Sequence, residues 1–101
     1  MKEAVIKIYE TTRNYAIDAS VGNVVYNKIN DALLSYDKVI IDFADVEIIL
    51  SVFLNAAIGG FYNANKIAEF ESKTSVTNLS DSAQILWNRV VQSAKRKLQN
   101  N

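Results

Sequence analysis

From Ala4 to Tyr9 the chain runs apolar and β-branched around a single lysine, a pattern that predicts a strand. Thr11 to Asp18 is polar and carries Arg13 and Tyr15 without a sustained helical period. Ser20 stands where an N-cap is expected, and Val21, Val24, Val25, Ile29, Ala32 and Leu33 then recur at helical spacing. Asn23, Asn27, Lys28, Asn30 and Asp31 fall on the opposite side, so one amphipathic helix is predicted. Lys38–Phe43 holds the continuous β-branched run Val39–Ile41 between Lys38 and Asp42, as in a strand at the centre of a sheet.

Ala44–Leu50 reads as a short connection, after which Ser51 caps a second helix from Val52 to about Asn65. Its apolar face is Val52, Phe53, Ala56, Ala57, Gly60 and Phe61. Glycines 59 and 60 inside that helix cost about 1 kcal/mol each relative to alanine, which close approach to the sheet or another helix would offset. Ile67–Ser72 fits either a helical turn or an irregular lead into a strand over Lys73–Leu79. Ser80 or Asp81 opens a last helix with Ile85, Leu86, Val90 and Ala94 on one stripe. Trp87 and Phe70 read as core or partly covered anchors.

Strand and helix alternate three times, which predicts an α/β domain with a small, mostly parallel sheet and helices packed mainly on one face. An edge strand drawn from Thr11–Asp18 or from the region before Lys73 would extend that sheet. At 101 residues there is room for a single domain, 1–101, ending in a short basic tail from about Lys95.

Composition narrows the chemistry. Eleven basic residues balance eleven acidic ones, whereas a dedicated nucleic-acid binder carries a basic excess. The absence of histidine and cysteine removes imidazole bases, cysteine nucleophiles, disulfides and structural zinc sites. The expectation is a protein that is not an enzyme and uses no cofactor or metal. Met1–Ala4 has no secretory pattern, and Ile48–Tyr62 is too short and too interrupted to span a bilayer, so a soluble, cytoplasmic protein without membrane contact is expected.

Candidate site residues gather after the central strand. Asp42, Asp45 and Glu47 place carboxylates near its carboxyl end, where open α/β sheets bind ligands. No D-x-D-x-D-G spacing accompanies them, and turn-forming or solvated roles compete with a ligand role. Ser51 has two compatible readings, as a helix cap and as a modification site at the positive end of a helix dipole. Arg89, Lys95, Arg96 and Lys97 follow Asp81 with no acidic neighbour. They complement the dipole of the last helix or, alternatively, meet an anionic partner or nucleic acid.

Asp42, Phe43, Ser51, Phe53, Leu54, Gly59 and Gly60, within Asp42–Gly60, resemble the central signature of the STAS-like family of unknown function. Arg13 and the start of the first helix at Ser20–Gly22 match it more weakly. The segment is also similar to STAS domains of anti-sigma factor antagonists, in which a serine at a helix start is phosphorylated by a kinase of the histidine-kinase-like ATPase fold. Ser51 falls at that serine's place, while Leu50, Val52 and Phe53 replace the aspartate, second serine and glycine around it. The resemblance implies a regulatory protein-interaction module of the bacterial or phage cytoplasm, with Ser51, Asp42, Asp45 and Glu47 on its partner-binding surface. Such a partner would be a histidine-kinase-like ATPase. The alternative is a small-anion or nucleotide site at the same helix start.

Overall fold

The computed structural model describes residues 2–99. Its main sheet holds β1 (Glu3–Lys7), β3 (Lys38–Asp42) and β5 (Thr74–Thr77) in the order β1-β3-β5, all parallel. The strand with the continuous β-branched run is the central one, as its sequence predicts. Register pairs Ala4 with Val39 and Ile6 with Ile41, and Ile41 with Val76, so these side chains share one face. Val39 and Ile41 are fully buried there, whereas Val5 on the opposite face is exposed. The helices therefore lie mainly on one face.

That face is covered by α2 (Ala19–Ser35), α3 (Ser51–Ile58) and α5 (Asp81–Gln99). From α2 come Val25, Ile29 and Leu33, at the spacing of a single helical stripe; Val24, expected on that stripe, is exposed. From α3 come Phe53, Leu54, Ala57 and Ile58. A 3-10 turn, Gly59–Phe61, follows α3, and α4 (Ile67–Lys73) precedes β5. Phe61 stacks on Tyr26 at a centroid distance of 4.4 Å and on Phe70 at 4.6 Å, joining α2, the 3-10 turn and α4. Trp87 is partly covered and meets Phe43 edge to face, while Phe70 is buried.

Several local expectations are corrected. The first strand ends at Lys7, and α1 (Ile8–Thr12) turns the chain immediately, burying Ile8. Asp18, not Ser20, caps α2: its carboxylate accepts from the Val21 amide at 2.9 Å, and the Ser20 hydroxyl donates to the same oxygen. Tyr15–Ala16 (β2) does not extend the main sheet but pairs in parallel with Ile48–Ile49 (β4), inside the segment read as a connection. The helix from Ser51 ends at Ile58, where two glycines lower helix propensity and the chain tightens into the 3-10 turn. Asn63 then accepts from the Asn65 and Lys66 amides and leads into α4. Gly60 does approach another helix, since a Cβ there would lie 2.8 Å from the Tyr26 ring, but Gly59 has open space. Ser80 accepts from the Ala83 amide at 3.2 Å and starts α5 as expected.

Candidate functional site

The carboxyl ends of the three parallel strands lead into connections that hold three non-glycine residues at positive φ, Arg13, Asp45 and Asn78. Asparagine and aspartate tolerate that region because their short side chains bond locally. Asp45 is the second central residue of the turn closed by the Val46 amide on the Phe43 carbonyl. Its position thus follows from turn geometry.

Asp42 ends β3 and uses one carboxylate oxygen twice, accepting from the Ala44 amide at 2.9 Å and the Asn78 side-chain amide at 2.8 Å. The Asn78 bond first, then the Ala44 bond, hold its carboxyl below the ordinary carboxylate value against the opposing effect of burial; Lys7 adds a smaller pull. Asp42 therefore ties the end of the central strand to the start of the β5–α5 connection. Glu47 is anchored through its backbone, whose amide donates to the Asn14 carbonyl at 2.8 Å, and its side chain is exposed.

The four predicted residues do not share one cavity. Asp42 and Asp45 line a pocket of about 250 Å³ with Lys7, Tyr9 and Glu10. Glu47 lines a separate cleft of about 480 Å³ between Val46–Ile49 and α5, with Ile85 and Arg89 on the far wall. Ser51 lines neither. Among the described residues no group of three or more acidic side chains is placed to hold a metal ion. Nor is any helix among them long and apolar enough to cross a membrane.

Ser51 is exposed and is the first residue of α3, with Leu50 in the N-cap place. No side chain caps this helix start; the Leu50 carbonyl accepts from the Phe53 and Leu54 amides. The expected cap at Ser51 is thus corrected, and Ser51→Ala is predicted to change unfolding stability by less than about 0.5 kcal/mol, where loss of a cap costs about 0.5–2 kcal/mol. Urea unfolding of the two proteins distinguishes these values.

What the sequence reading missed is apolar. Tyr15 lies opposite Ile48 in the β2–β4 register, the Leu50 amide donates to the Ala16 carbonyl, and Ile17 and Val52 continue the two chains. Tyr15, Ile17, Ile48, Leu50 and Val52 are each 42–52 % exposed. The signal was the run Ile48-Ile49-Leu50 in a segment with no predicted element to cover it. At the basic end, Lys95 is neutralised across the fold by Glu71 at 3.0 Å, a partner that local sequence did not offer.

The family model for a STAS-like domain of unknown function matches residues 21–84, from the first turn of α2 to the start of α5. No curated protein and no solved structure matches the chain.

Proposed function

We propose, from the premise that this chain belongs to the family of STAS-like domains of unknown function, that it is a non-enzymatic protein-interaction module whose partner docks around Ser51. Leu50 carries the reading. Its backbone has the extended conformation of an N-cap, a position that strongly favours serine, threonine, aspartate or asparagine, yet it holds a leucine that is half exposed and caps nothing. The two long helices, α2 and α5, use Asp18 and Ser80 at the corresponding places, while the short α1 and α4 start uncapped at the charged residues Lys7 and Lys66; Leu50 is the apolar one among these α-helix starts. A leucine that costs helix stability at this position and keeps nearly half of its surface exposed in the isolated domain is accounted for by burial against a partner. Leu50 also sits among Ile17, Ile48 and Val52, and a cluster of exposed apolar side chains favours association.

The non-enzymatic part of the reading rests on composition, since the chain has neither histidine nor cysteine, the side chains most used for acid–base and nucleophilic work near neutral pH. The partner class we propose is an ATPase of the histidine-kinase-like fold in the bacterial or phage cytoplasm, with phosphorylation of exposed Ser51 as the switch. A phosphate there adds about 1.5 to 2 negative charges to an apolar docking surface and opposes its burial.

The test is Leu50→Asp. Because aspartate is a favoured N-cap, this variant should be more stable than wild type by about 0.5–2 kcal/mol. Its affinity for the partner co-purified from the native host should fall at least about tenfold by calorimetry. Equal affinities in a folded Leu50→Asp protein remove this surface from binding.

A further inference from the structure

We infer that the cleft between β4 and α5 is a self-association surface that takes a second copy of this chain across a two-fold axis. It adjoins the Ser51 surface and shares Ile48 with it, but Ile17, Leu50, Ser51 and Val52 do not line it. Its apolar lining comprises the partly buried Val46, Ile49 and Leu86 together with Ile48 and Ile85, which are 47 and 56 % exposed, and Asn78, Ser80 and Ser82 add polar groups. Glu47 stands on one wall and Arg89 on the other. Neither takes part in an ion pair among the described residues, although both line the same cleft.

A surface with one anion and one cation flanking an apolar centre is complementary to itself. In a two-fold interface residue i meets j and residue j meets i. Rotating a copy onto the cleft therefore sets Glu47 against Arg89 of the partner subunit and Arg89 against Glu47 of the partner subunit. Both unpaired charges gain a counter-ion while the exposed isoleucines are covered. The chain's net charge of zero adds no long-range repulsion to this encounter. A partner of uniform charge would leave one of the two opposed residues facing its own sign, which costs binding energy.

The experiment is sedimentation equilibrium of the purified chain from about 10 µM to about 1 mM, the range where a small interface with rim ion pairs is populated. Wild type should show a monomer–dimer equilibrium. Glu47→Arg alone and Arg89→Glu alone should each weaken it at least about tenfold, because each places two like-charged pairs in the interface. An equimolar mixture of the two variants should recover dimer, since an E47R subunit facing an R89E subunit restores both opposite-charge pairs. That recovery also shows that both variants are folded. Wild type that stays monomeric throughout overturns the proposal, as does a dimer that neither substitution weakens or a mixture that fails to recover it.

Discussion

Replacing Phe61 with alanine lowers unfolding stability by about 3–5 kcal/mol, the cost of removing a large aromatic from a filled core. Phe61 is fully buried and is the middle ring of a three-ring stack. On one side it lies against Tyr26 of α2, and on the other it stacks nearly parallel to Phe70 of α4, with 4° between the ring planes. Truncation removes its own transfer energy and leaves Tyr26 and Phe70 each without a stacking partner. Phe61→Leu keeps part of the volume and should lose less. Chemical unfolding of both variants checks this, and a loss below about 1.5 kcal/mol for the alanine variant would mean that the three elements are held together elsewhere.

Gly22→Val is expected to cost about 3 kcal/mol, at the upper end for overpacking. Gly22 is buried in the first turns of α2 where that helix crosses α3. A Cβ at this point would lie 2.6 Å from the Phe53 carbonyl oxygen and 2.7 Å from the Ala56 Cβ. The first obstacle is backbone, so relief requires moving a helix rather than a side chain. Glycine in a helix interior sacrifices about 1 kcal/mol of propensity, which the close helix contact offsets. Gly59→Ala is the matched control, because no atom lies within 4 Å of the added carbon, and it should be neutral or stabilising by up to about 1 kcal/mol. Melting curves showing equal stability for Gly22→Val and wild type would contradict the α2–α3 packing.

Periodicity revealed the long elements because their cores impose it. Ile29 and Leu33 of α2 and Val39 and Ile41 of β3 are buried at the intervals their sequence displays. Short elements were hidden for the opposite reason. The two-residue strands Tyr15–Ala16 and Ile48–Ile49 are too brief to show alternation and exist through each other, from chain segments more than thirty positions apart. In α1, Thr11 and Thr12 have poor helix propensity, and the turn is held in part by the buried Ile8. Caps were legible as composition but not by position, since Asp18 and Ser20 both qualify and the aspartate reaches Val21.

The candidate site was half legible. The segment from Asp42 to Ser51 was identified as important, but Asp42 and Asp45 prove to hold a strand end and a turn. The side chains that make a surface there are the apolar ones between and beyond them. Their exposure depends on β2, which sequence did not reveal. The cleft lined by both Glu47 and Arg89 brings the residue before β4 to the same surface as α5, a juxtaposition no local pattern encodes.

The central claim is that Leu50 faces a protein partner. Site-specific photo-crosslinking in the native host, with the photoreactive residue placed at position 50 or at position 34, tests it most directly. Leu34 is the control because it is 79 % exposed, more than Leu50, but lies near the end of α2, at the amino ends of the strands. A discrete adduct with a different protein is expected from position 50 and none from position 34. Equal labelling from both positions, or none from position 50, would contradict it.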